Sequence, residues 1–164
     1  MDGLLDLAAK LEFGMTRFFE PDTEAHLTLG GLSIWVDGRE HPHSDDGDDG
    51  NWLIIYARVE APGALVELSG PWLRRDEVAA FLQQVEAMSE NLSGKAELYP
   101  VEPAIKAVLE IDVRGQIALV VEATPDHMTQ SHRFRFELDQ SYLPAIVRQC
   151  RGILSRFQAL SVKG

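Results

Sequence analysis

NWLIIYARVEAPGALVELSG, residues 51–70, is the stretch on which the fold turns. Asn51–Ala61 is rich in branched and aromatic residues, Pro62-Gly63 is a turn, and Ala64–Gly70 returns as a second strand. Together they read as a β-hairpin. Upstream, His26–Leu29 and Leu32–Val36 alternate as strands, with Gly30-Gly31 read as a bulge or kink. From Asp37 to Gly50 the signals are those of a loop. Downstream, Val78, Phe81, Leu82, Val85 and Met88 recur at helical spacing within 76–88, and Asp76 and Glu77 suit the positive end of the helix dipole.

Four further strands follow: Lys95–Tyr99, Ala104–Val113, Gln116–Thr124 and Ser131–Leu138. Ile105, Ala107, Leu109, Ile111 and Val113 share one face of theirs, and His132, Phe134, Phe136 and Leu138 share one face of the last. A final helix from Tyr142 to about Leu160 carries Leu143, Ile146, Val147, Cys150, Ile153, Leu154 and Phe157 on one stripe. Leu4, Leu7, Leu11 and Met15 have helical spacing, so residues 1–25 can add an N-terminal helix. Short links between strands predict antiparallel pairing. The expected fold is α+β and a single domain over 1–164: one mainly antiparallel sheet of about six or seven strands, with two amphipathic helices packed on one face. Leu53–Pro62 and Ile117–Pro125 echo one another, each leading through a strand into a helix. The echo reads either as two duplicated hairpin–helix units or as chance likeness between alternating strands.

The chain has 164 residues, 45% apolar and 25% charged, with 13 Gly, 8 Pro and one cysteine. That suits one globular domain. No run approaches the ~18 apolar residues of a membrane span, and the start, Met1-Asp2-Gly3-Leu4-Leu5-Asp6, has no cationic n-region or apolar core. A lone Cys150 allows no internal disulfide and fits a reducing cytoplasm. Net charge is −11, and residues 1–50 hold 12 acids against 3 bases. Such an excess opposes nucleic-acid binding and docking on anionic lipid, and favours a basic partner.

Catalytic patterns are missing. There is no phosphate loop, dinucleotide fingerprint, serine elbow or His-Glu-x-x-His. Cys150 falls on an apolar stripe, where a thiol acts as a small hydrophobe. His41 and His43 precede Asp45, Asp46, Asp48 and Asp49, but EF-hand spacing fails, and a solvated polar loop is the plainer reading. Arg133 and Arg135, with Arg148, Arg151 and Arg156, read as ordinary solvated faces. The chain is thus expected to be non-catalytic, with no cofactor and no metal.

Asp49-Gly50-Asn51-Trp52-Leu53 resembles the strand start of the WapI-type family of bacterial immunity proteins. Ser69-Gly70-Pro71-Trp72-Leu73-Arg74 before Asp76-Glu77 is similar to it too, as is Phe136-Glu137-Leu138-Asp139 before the last helix. The likeness runs from Leu27 to Phe157, leaving out residues 1–25 and 43–48. It implies a small cytoplasmic protein encoded beside a polymorphic or contact-delivered toxin. Such a protein binds the toxin's C-terminal domain, often a nuclease, and blocks it without chemistry of its own. No family catalytic residues carry over. The other readings are a small-ligand-binding domain and a general protein-interaction module. Asp45, Asp46, Asp48 and Asp49 are the expected electrostatic contacts, with Trp35 and Trp72 as aromatic anchors if the fold exposes them. Asp49 and Asn51 are also expected to hold a turn through side-chain hydrogen bonds, with Gly50 tolerating positive φ, and Trp52 to seat the first hairpin.

Overall fold

The computed structural model describes residues 21, 23–44 and 50–159. The expected N-terminal helix and Asp45–Asp49 lie outside them. In chain order the elements are β1 (Leu27–Leu29), β2 (Leu32–Arg39), β3 (Trp52–Ala61), β4 (Ala64–Arg74) and α1 (Arg75–Asn91). They continue with β5 (Gly94–Leu98), β6 (Ile105–Ile111), β7 (Gln116–Ala123), β8 (Arg133–Asp139), a 3-10 turn (Gln140–Tyr142) and α2 (Leu143–Arg156).

The strands form two antiparallel sheets of four, ordered β1-β2-β3-β4 and β5-β6-β7-β8, instead of one sheet of six or seven. Alternation shows which way each side chain points, but not which strand pairs with which. The 17-residue α1 separates β4 from β5, so the two never meet as a hairpin. Gly30-Gly31 is a tight turn with Leu29 opposite Leu32, not a bulge within one strand. Gly30 has φ +55°, which a glycine adopts at little cost.

Each half therefore runs strand, strand, strand, strand, helix, and the echoed segments are the third strand of each half. The helices correspond at a constant offset of 65 residues: Val78 with Leu143, Phe81 with Ile146, Val85 with Cys150, Met88 with Ile153. All eight side chains are buried. The two helices pack on one another, and α2 also lies against β1 while α1 lies against β5. Gln149 Oε1 accepts the Thr28 N–H of β1 at 2.9 Å, and Gln84 Oε1 accepts the Glu97 N–H of β5 at 2.8 Å. These glutamines also correspond at an offset of 65. Each helix thus covers the margin of the first strand of the opposite half.

Buried side chains from both sheets and both helices form one hydrophobic cluster. The β1–β2 turn presses on the second sheet: a Cβ on Gly31 would stand 2.2 Å from the Glu60 carbonyl oxygen and 2.5 Å from the Phe136 ring. Phe134 and Phe136, expected in the core, are half-buried and stack at 6.3 Å on the marginal strand β8, packed against the cluster. Val113, expected on the inner face of its strand, is fully exposed. The strand stops at Ile111, and the Asp112 carboxylate accepts the N–H groups of Arg114 and Gln116 to make a turn. The last helix ends at Arg156, with Phe157 buried just beyond it. At the start of α1, Glu77 accepts the Arg74 N–H at 2.7 Å and the Val101 N–H at 2.9 Å, tying the helix to the β5–β6 connection. Burial pushes its carboxyl above the usual value, and those two N–H groups oppose the shift.

Candidate interaction surface

The segment Gly50-Asn51-Trp52 forms a structural corner. Arg39 Nη1 donates to the Gly50 carbonyl at 2.6 Å, and Arg39 Nη2 donates to the Gln158 carbonyl. The Arg75 N–H donates to the Asn51 carbonyl at 2.9 Å, and Arg75 Nε donates to the Phe157 carbonyl at 2.6 Å. The Glu40 N–H donates to the Trp52 carbonyl at 2.9 Å, and the Arg74 guanidinium lies 5.4 Å over the Trp52 ring. The fixed fork of an arginine suits such bridging, because one side chain carries donors for two carbonyls. The corner joins the β2–β3 connection, the β4–α1 junction and the end of α2. Trp52 enters this corner through its carbonyl and its ring. It also sets where residue 50 stands, directly after the Asp-rich segment.

Trp35 and Trp72 are both half-buried. Trp35 lies on the outer face of the first sheet, its ring 5.4 Å from that of Tyr56, and its Nε1–H donates to the Thr23 carbonyl at 2.9 Å. The Tyr56 hydroxyl donates to Glu67 Oε1 at 2.6 Å, and Arg58 stands 3.9 Å from both Glu60 and Glu67. Trp72 packs against the core and covers Gly70, where a Cβ would come 2.7 Å from the indole. Each tryptophan therefore has intramolecular contacts of its own, and neither projects freely.

The second sheet offers a feature that sequence reading did not single out. A hollow of about 500 Å³ opens on its outer face, lined by Glu110, Asp112, Gln116, Ala118, Arg135 and Glu137. Lys95, Glu110, Ala118 and Glu137 stand in one cross-strand row, and Glu97, Val108, Val120 and Arg135 in the next. Glu110 and Glu137 come from separate strands, so only the pairing register brings those two together. Their shared outward parity was the available signal.

Among the described residues the ionisable groups do not assemble an acid–base or nucleophilic site. Burial pushes the Cys150 thiol up to about 12, so it stays protonated and unreactive at neutral pH. His26 Nδ1 accepts the Val36 N–H at 2.7 Å, and its Nε2 lies 2.9 Å from Arg156 Nη1. Burial, with Arg156 adding to it, lowers its pKa and keeps the ring neutral. His132 touches Gln130 at 3.1 Å, and His41 Nε2 is 3.5 Å from Glu40. Among the described residues no group of three His, Cys, Asp or Glu side chains is placed to hold a metal ion. Among them, too, no helix is long and apolar enough to cross a membrane.

Residues 25–158 match the model of the immunity protein WapI-like family. The chain belongs to the WapI-like immunity protein family. The matched span runs from the residue before His26 to Gln158, whose carbonyl Arg39 holds. It therefore takes in both four-strand-plus-helix halves of this family member and the corner that binds them. No curated protein matches the chain. A chain of the "CdiA-CT/CdiI toxin and immunity complex from Enterobacter cloacae" is similar at 11% identity and a TM-score of 0.38, over 62% of this chain and 89% of that one. A likeness at that level supports no functional reading.

Proposed function

We propose that this protein binds the C-terminal domain of a cognate toxin, encoded beside it, and neutralises that domain by occupying its surface. Membership of the WapI-like immunity family carries this reading. A net charge of −11 suits a basic target such as a nuclease, whose site must attract phosphate. The protein would act in the cytoplasm of a bacterium, where the delivered toxin works.

Within this reading Asp45, Asp46, Asp48 and Asp49 steer the encounter, and the rims of Trp35 and Trp72 supply apolar contact. Exposed charges act mainly on association rate, which falls as salt screens them. The test is co-expression and co-purification with the C-terminal domain of the toxin encoded next to this gene, followed by association kinetics across ionic strength. A stable complex should form. Replacing Asp45, Asp46 and Asp48 by Asn should slow association several-fold at low salt and leave melting unchanged. Failure to form a complex contradicts the function. Equal rates and equal salt slopes remove the acidic segment from the contact.

A further inference from the structure

Four strands stand at sheet margins: β1, β4, β5 and β8. A marginal strand presents unpaired N–H and C=O groups, which another strand can take up, and folded proteins guard against this. Three of the four margins are guarded. Gln149 of α2 takes the Thr28 N–H of β1, and Gln84 of α1 takes the Glu97 N–H of β5. β8 reads RFRFELD, with Arg133, Arg135 and Glu137 exposed along it, and such charges discourage a fifth strand.

β4 differs. The Glu60 N–H donates to the Gly31 carbonyl, so alternate residues of β3, at 60, 58 and 56, turn their backbone groups towards β2. Ala61, Val59 and Ala57 then turn towards β4, opposite Ala64, Val66 and Leu68. By the same alternation Leu65, Glu67 and Ser69 direct their N–H and C=O groups outward. Among the described residues nothing bonds to that margin. Ala64, Leu65 and Ser69 are exposed, and Leu65 is 42% accessible. Glu67 is the one charge in the stretch. Its carboxylate accepts the Tyr56 hydroxyl and faces Arg58, which holds it against the sheet instead of across the edge. Pro71, with no N–H to offer, ends the usable length.

We infer that the Ala64–Ser69 margin of β4 is a docking edge that accepts an extended segment of a cationic protein partner as a fifth strand, with a Lys or Arg opposite Glu67. The inference rests on the reading of the protein as a binder of a protein partner. Backbone bonds would supply affinity, and side chains facing Leu65 and Glu67 would supply selectivity. A second copy of this chain suits the edge poorly. Antiparallel self-pairing that uses Leu65, Glu67 and Ser69 sets Glu67 against Glu67, and like charges directly opposite one another destabilise a pair. Two chains of net charge −11 also repel. A basic strand reverses both terms.

The test is amide hydrogen exchange on the full chain, free and bound to the C-terminal domain of the neighbouring toxin, together with the variant Ser69→Pro. In the complex the amides of Leu65, Glu67 and Ser69 should exchange at least about tenfold more slowly than in the free protein. Ser69→Pro, which deletes one outward donor, should weaken binding about tenfold, since one lost hydrogen bond is worth roughly that factor. A complex in which these three amides exchange as in the free protein overturns the docking edge while leaving toxin binding intact. Absence of any complex overturns the binding reading and the edge with it. A dimer of this chain alone that protects the same amides overturns the choice of partner.

Discussion

The two halves share an order of elements and part company on their outward faces. Both run through four antiparallel strands into a helix, and both bury the same four helical positions. Outside, the first sheet carries Trp35 tilted against Tyr56, a single cluster of Arg58 with Glu60 and Glu67, and an exposed margin of β4 whose one charge, Glu67, belongs to that cluster. The second carries rows of Lys, Glu and Arg, a hollow lined by three carboxylates and one arginine, and a charged β8. Inner positions must satisfy one shared core and resist change, because a close-packed interior feels each methylene. Outer positions answer only to solvent and partners. In a scaffold of this kind, partner choice belongs on the outside, where the halves are free to differ.

The comparison breaks first at the core. Phe81 of α1 is fully buried, and it joins the same cluster as Ile146 of α2. Phe81→Ala should cost ~3–5 kcal/mol and lower a single unfolding transition, read by calorimetry. Two separable transitions would show that the halves hold independent cores.

The glutamine pair sharpens the likeness. Gln84→Ala and Gln149→Ala should each cost about 1 kcal/mol or less, by similar amounts. Their effects should add in the double variant, since each serves a different strand. A large cost at one and none at the other would mean that the two seams are unlike.

The smallest effect belongs to the seam itself, where His26 joins β2 to the end of α2. Its folded pKa lies below the ordinary 6.5, through burial first and Arg156 second, with Asp37 opposing. The unfolded chain therefore takes up the proton first as pH falls. The contribution of neutral His26 is complete above 6.5 and is lost as pH drops through 6.5 towards the folded value. His26→Asn, which keeps an acceptor for the Val36 N–H, should flatten that part of a stability–pH curve measured by urea unfolding. An unchanged slope would remove His26 from the seam's pH response.

Much of this fold could be read from the sequence, for reasons tied to periodicity. The 51–70 hairpin announced itself through a two-residue Pro-Gly turn between branched runs. Both helices showed their buried faces, down to Cys150. Sheet membership was invisible, because nothing local tells β4 that it will not pair with β5. Gly30-Gly31 fits either a bulge or a turn, and only the partner strand decides. Phe134 and Phe136 looked like core by alternation, yet a marginal strand leaves such residues half-covered. At the surface, the Asp-Gly-Asn-Trp motif marked where the corner stands, but not the Arg39 and Arg75 bonds that tie it. The meeting of Glu110 with Glu137 was not legible, since it is a matter of register. The open margin of β4 was equally hidden, because strand order creates it.

The most direct test titrates the activity of the neighbouring toxin's C-terminal domain with this protein. Neutralisation by occupation predicts a linear loss of activity that ends at a fixed stoichiometric ratio, with activity returning when the complex is dissociated. Loss of activity at substoichiometric amounts, or loss that survives removal of the protein, would contradict binding as the mechanism. No loss at any ratio would contradict the pairing itself.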